Sequence, residues 1–120
     1  MSCPFELTVI CDNHAGEGLL PEHGLSLHIR ADGLTILFDT GSGDTLQHNA
    51  AALDFDFSQI SHLILSHGHY DHTGGVEQVL AETVFKKAIG FGDPVQSNQC
   101  LQQGPHVLQR HGVRAVTHGL

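Results

Sequence analysis

Tryptophan is absent from this 120-residue chain, methionine and tyrosine occur once each, and there are only three cysteines, Cys3, Cys11 and Cys100. The cysteines are odd in number and form no Cys-x-x-Cys pair. Neither a disulfide framework nor a cysteine zinc cage is indicated, and a reducing, cytoplasmic setting fits best. Long hydrophobic runs are missing too. No stretch approaches the roughly 18 apolar residues of a membrane span, and Met1 to Ile10 lacks a basic start and a long apolar core. Positive charge is scarce: five Lys and Arg stand against thirteen Asp and Glu, for a formal net charge of -8. That argues against a nucleic-acid-binding surface, which needs a clustered basic footprint, and makes divalent cations the more natural partner.

What is present suits one small packed domain. Hydrophobic residues make up 40% and charged residues 15%, the balance of a globular chain. Histidine is abundant, at eleven residues, each a nitrogen donor available near neutral pH. Charge is unevenly spread: residues 1 to 83 hold twelve of the thirteen acids and only Arg30 as a base, whereas 84 to 120 hold four bases and Asp93. The composition changes near Val84.

Phe5 to Cys11 is apolar and β-branched enough for a strand. Leu25, Leu27, Ile29 and Ala31 alternate with Ser26, His28 and Arg30, the period of a strand with one buried face. Asp32-Gly33 follows at once and predicts a two-residue type I′ hairpin, with Leu34 to Phe38 returning antiparallel. Leu46, Ala50 and Leu53 share one helical face, and the helix should stop before Phe57. His62 to Leu65 reads as a short strand buried on both faces. Val76, Val79 and Leu80 again have helical spacing. Beyond Val84, a strand within Val84 to Phe91, a short helix from Pro105 to His111 and a last strand from Val113 to Thr117 are expected. The order predicts an α/β (α+β) domain, a sheet covered by helices.

The strand at His62 delivers the chain into Ser66-His67-Gly68-His69-Tyr70-Asp71-His72-Thr73-Gly74-Gly75. Side chains two residues apart on a turn after a strand can converge, so His67 and His69 can present imidazole nitrogens to one ion. Asp71 and His72 can address a second position beside it, giving a paired site of mixed nitrogen and carboxylate ligands. Such ligands suit one or two Zn²⁺, with Mn²⁺ or Fe²⁺ compatible. The chemistry that follows is metal-assisted hydrolysis, with Asp71 as the catalytic group that orients or deprotonates the attacking water. Asp39 can brace the metal loop from the neighbouring strand end, or serve only as a helix N-cap or turn aspartate. His14, His28, His48 and His62 read as surface or satisfied core histidines. His118 follows its own strand as the cluster follows its own, which makes it the candidate third ligand.

The run Ser66 to His72 resembles the His-x-His-x-Asp-His signature of the metallo-β-lactamase-fold hydrolases, and Leu37-Phe38-Asp39-Thr40-Gly41 resembles the upstream aspartate motif of that superfamily. Glu22-His23-Gly24-Leu25-Ser26-Leu27, Leu46-Gln47-His48-Asn49 and Thr73-Gly74-Gly75 are similar to the dihydropterin ribofuranosylaminobenzene phosphate synthase-like branch. The resemblance covers about residues 5 to 83. It implies a four-layer αββα sandwich of two similar halves with two metal ions at the sheet edge. It also implies His67 and His69 on one metal, Asp71 and His72 on the other, and Asp39 in support.

The family takes a further histidine, a bridging aspartate and a last histidine from its second half, and no acidic residue follows Asp93 here. The expectation is therefore half of a metallo-β-lactamase-type sandwich: residues 1-83 form the N-terminal half of such a domain, and 84-120 form a divergent tail. A small-molecule substrate, no nucleic acid and no membrane are expected, with a homo-oligomer or a complementing second half to cover the exposed apolar sheet face. The function expected is that of a truncated metal-dependent hydrolase of an ester, phosphoester or similar bond. The alternative is a non-catalytic metal-binding remnant of one, and a purely structural module ranks last.

Overall fold

The computed structural model describes residues 4–83, 87–91 and 114–118. Three strands, β1 (Phe5–Cys11), β2 (Ser26–Ala31) and β3 (Leu34–Phe38), form an antiparallel meander. Its tight corner is Asp32-Gly33. Ala31 pairs with Leu34, and both loop residues have positive φ, 51° and 77°, as a type I′ turn requires. The chain then crosses through α1 (Leu46–Ala52) and a 3-10 turn (Phe57–Gln59) to β4 (His62–Leu65), parallel to β3.

Two short helices follow, α2 (Tyr70–Thr73) and α3 (Val76–Leu80). Strands β5 (Lys87–Phe91) and β6 (Arg114–His118) add on in parallel, giving a six-stranded mixed sheet in the order β1-β2-β3-β4-β5-β6. The sheet lies at the strands expected within 84 to 91 and 113 to 117. The helix expected at Pro105 to His111 lies outside the described residues.

One side of the sheet carries the core. Leu37, Leu63 and Leu65 pack there with Leu46 and Ala50 of α1 and with Val76, Val79 and Leu80 of α3. A register shift between Val9 and Cys11 lets both Ile10 and Cys11 turn inward at the end of β1.

Two expectations are corrected on this sheet. In β2 it is Ser26 and His28 that are buried, while Leu27 and Ile29 are only half-buried. In β4, Leu63 and Leu65 are buried but His62 and Ile64 only partly so. The reason is the same in both. Helices cover one face, and the polar residues beneath them are satisfied: Ser26 Oγ donates to Asp39 O at 2.8 Å, and the His28 ring stacks on Phe55 at 3.8 Å and 6°.

The opposite face is apolar. Register and alternation place Leu7 and Val9 beside Ile29 and Leu27, and these beside Ile36 and Phe38. Phe5, Leu7 and Val9 are exposed.

Burial of His28 lowers its pKa below 6.5, desolvation of the charged ring being the main cause. The unfolded chain therefore takes up a proton first as pH falls, and stability declines below about pH 6.5 until the folded form is protonated too. We expect His28→Gln to flatten part of that decline in urea unfolding between pH 7.5 and 5. An unchanged slope would assign it to other histidines.

Candidate metal centre

The site forms where β3 and β4, lying parallel, both end. Asp39 leaves β3 with a positive φ of 59°, a backbone state that aspartate tolerates better than most residues. Its amide donates to Ile64 O at 2.8 Å, which turns the side chain toward the neighbouring strand end. The fully buried carboxylate accepts three hydrogen bonds at 2.7 Å each: from Ser66 N, from Ser66 Oγ and from His72 Nδ1. Ser66 Oγ also lies 2.8 Å from His67 Nδ1. Since the serine hydroxyl gives its proton to Asp39, it accepts from His67. Both imidazoles are thereby held as Nδ1–H tautomers, with the Nε2 lone pairs free.

The rings are close-set. His67 and His72 have centroids 4.1 Å apart, and His67 and His69 lie 4.7 Å apart at 77°. Ligand atoms of His67, His69 and Asp71 all lie within 4.8 Å of one another, and Asp71 Oδ2 is 3.5 Å from His72 Nε2. The carboxylate thus reaches both the His67–His69 pair and His72. His67 is half-buried, and desolvation first, then the neighbouring His72 and His69, lower its pKa, which keeps it a neutral donor near pH 7. Imidazole nitrogens beside a carboxylate are the donor set of a borderline divalent cation, so the residues present fit such an ion.

The turn is locked from behind. Thr40 N and Oγ1 both donate to His72 O, at 2.7 and 3.0 Å, and Gly75 N donates to Thr40 Oγ1 at 3.0 Å. Leu25 N donates to Asp71 O at 3.1 Å, and Gly41 N to Leu25 O at 2.9 Å.

All four proposed ligands and Asp39 thus come together. His118 ends β6, paired with Phe91, and β6 runs parallel to β4 through β5, so it stands at the same sheet edge as the cluster. His48 bonds Gly18 O and His62 bonds Ser61 Oγ, both away from the ligand group. Sequence reasoning gave no role to Ser66, which links His67 to Asp39, or to His23, whose Nε2 lies 3.4 Å from Asp71 Oδ2. Only the run Glu22 to Leu27 carried a hint of the latter. Burial pushes the Cys11 thiol up to about 12, so it remains protonated and is no nucleophile. No helix among the described residues is long and apolar enough to cross a membrane.

The chain is similar to several known proteins. The chain is 33% identical over 89 residues to the uncharacterized protein MJ0448 of Methanocaldococcus jannaschii, covering 72% of this chain and 34% of that protein. It is 36% identical over 66 residues to the 7,8-dihydropterin-6-methyl-4-(beta-D-ribofuranosyl)-aminobenzene-5'-phosphate synthase of the same organism, covering 51% and 22%. The crystal structure of Tm1679, described as a metal-dependent hydrolase of the beta-lactamase superfamily, is 33% identical with a TM-score of 0.51 over 71% of this chain and 28% of that one. The chain thus spans about a third or less of the length of these relatives. Residues 20–94 match the family described as the metallo-beta-lactamase superfamily, and the chain belongs to it.

Proposed function

We propose that this chain is the metal-holding part of a metal-dependent hydrolase, with His67 and His69 binding one divalent cation and Asp71 and His72 a second beside it. Zinc is the best match to this nitrogen and carboxylate set, with Mn²⁺ or Fe²⁺ as alternatives. The observation that carries the reading is the hydrogen-bonded run from His67 through Ser66 and Asp39 to His72, which leaves both Nε2 atoms free. A cation held there lowers the pKa of bound water to about 7 and polarises the oxygen of an ester or phosphoester.

The protein's own groups do the rest. With the cation bound, Asp71 would orient the attacking water and accept its proton. Asp39 and Ser66 keep the imidazoles in the ligating tautomer. The register at the sheet edge supports His118 as a further ligand, about two strand spacings, or roughly 10 Å, across from Ser66. Small, charge-neutral or cation-masked substrates suit a chain with so few basic residues, and a free buried Cys11 suits the cytoplasm.

The test is turnover of bis(p-nitrophenyl) phosphate and p-nitrophenyl acetate by the zinc-loaded chain. We expect His67→Ala to reduce turnover by on the order of 100-fold and to lower bound metal in parallel. Equal activity in metal-free protein would end this reading. A second reading is that metal binds without turnover, because His67, His69, Asp71 and His72 are the ligands that the described residues bring together. Bound zinc and no hydrolysis would select it.

That second reading brings in the apolar face of the sheet, which would be covered by another copy or by a complementing polypeptide. Ile29 sits at its centre, between Leu7 and Ile36. We expect the wild-type chain to elute as a dimer or larger and Ile29→Lys to shift it to the monomer in size-exclusion chromatography with light scattering. A monomeric wild type would remove the need for a partner.

A further inference from the structure

We propose that His23 is a metal ligand of this centre, completing the position addressed by Asp71 and His72; the inference rests on the metal-binding reading above. Asp71 Oδ2 stands between two imidazole nitrogens, His23 Nε2 at 3.4 Å and His72 Nε2 at 3.5 Å. A tetrahedral ion with bonds of about 2.0–2.1 Å holds its donor atoms about 3.3–3.4 Å apart. Each separation is close to the donor–donor spacing of such an ion, and the two share the carboxylate oxygen.

The loop that carries His23 is built to hold it there. On one side, Glu22 N donates to Asp12 O at 3.0 Å and the Glu22 carboxylate accepts from Ser42 Oγ. On the other, Gly24 lies against the metal loop so closely that a Cβ would stand 2.7 Å from Asp71 O, and Leu25 N bonds that same carbonyl at 3.1 Å. Glu22 and Gly24 are thus spent on anchoring. His23 between them has a side chain 77% exposed and gains no packing from its place. Its polar neighbour is the carboxylate that the metal reading assigns as a ligand.

The reading assigns one position to His67 and His69, with Asp71 nearby, and the second to Asp71 and His72, with His118 as a further candidate not tied to either. His23 raises that second position to three protein donors, leaving a fourth direction for water or substrate, the arrangement of a catalytic zinc rather than a closed structural one.

The test uses the full chain, stripped by dialysis against a chelator and titrated with Zn²⁺ in competition with a chromogenic indicator. We expect two zinc ions per chain in the wild type. His23→Ala should weaken one of them at least tenfold and leave the other within twofold, while His67→Ala affects the other. His14→Ala, an exposed histidine elsewhere, should change neither. His23 is exposed, so far-UV circular dichroism of the metal-free variant should match the wild type. Cobalt substitution gives a second readout: the visible d–d band of the weaker site should shift or fade in His23→Gln. Two unchanged affinities in His23→Ala overturn the assignment while leaving the hydrolase reading intact. So does a single wild-type zinc that His67→Ala removes. No zinc bound by the wild type overturns both.

Discussion

Asp39→Ala should cost about 3 kcal/mol or more of stability and abolish tight metal binding, whereas Asp39→Asn should fold and still bind metal poorly. The two variants separate what the carboxylate does for the backbone from what it does for the histidines. Alanine leaves Ser66 N–H without its acceptor at a fully buried position, a loss of about 1–3 kcal/mol. It also places a non-glycine, non-Asx residue at φ 59°, which adds about 1–2 kcal/mol. Asparagine avoids both costs, because its carbonyl can still accept from Ser66 N and its short polar side chain tolerates that φ.

The remaining group is then an amide NH₂ facing Ser66 Oγ and His72 Nδ1, where the wild type has an acceptor. His72 can satisfy a donor only by moving its proton to Nε2, and a protonated Nε2 is no ligand. We expect zinc affinity at the Asp71–His72 position to fall on the order of 100-fold in Asp39→Asn, with urea unfolding changed by only about 1 kcal/mol. Wild-type zinc affinity in Asp39→Asn would mean that Asp39 does not set the tautomer.

That network marks where the sequence was and was not legible. The ligand run announces itself, because His67, His69, Asp71 and His72 are local and their neighbours, a strand before and Gly74-Gly75 after, are local too. The hairpin was equally readable, since Asp32-Gly33 encodes its own φ values.

What resisted was anything set by distant chain. Alternation along Leu25 to Ala31 fixes the period of β2 but not which side the helices cover, and here they cover the polar phase, Ser26 and His28. The two meanings of Asp39, brace or turn residue, could be told apart only by the 2.7 Å contacts to Ser66 and His72, about thirty residues on. His23 was invisible as a site residue for the same reason. It is brought to Asp71 by Gly24 and Leu25 docking on a carbonyl that no local pattern can foretell.

Gly74→Ala should destabilise the chain by about 3 kcal/mol, against the sign expected from backbone propensity. Gly74 has helical angles, φ -61° and ψ -25°, and its amide closes α2 on Tyr70 O at 2.7 Å. At such a position glycine to alanine ordinarily stabilises by about 0.4–1 kcal/mol, through the reduced entropy of the unfolded chain. Space decides otherwise. An added Cβ would lie 2.1 Å from Ser42 O, 2.5 Å from Ser42 C and 2.8 Å from Ser42 Cα. All three are backbone atoms, so no rotamer change relieves the overlap, and either α2 or the loop after β3 must move by an ångström or more. Neither is free to do so. The Ser42 hydroxyl bonds Glu22, while Gly74 follows the turn whose His72 carbonyl is held by Thr40. The displacement therefore reaches the ligands, and zinc affinity should fall along with stability. Gly16→Ala supplies the control, since nothing lies within 4 Å of its added methyl, and its unfolding midpoint should stay within about 0.5 kcal/mol of wild type. A Gly74→Ala protein as stable as wild type would show that the loop after β3 yields readily. The metal turn would then owe its geometry to the Asp39 network rather than to close packing against Ser42.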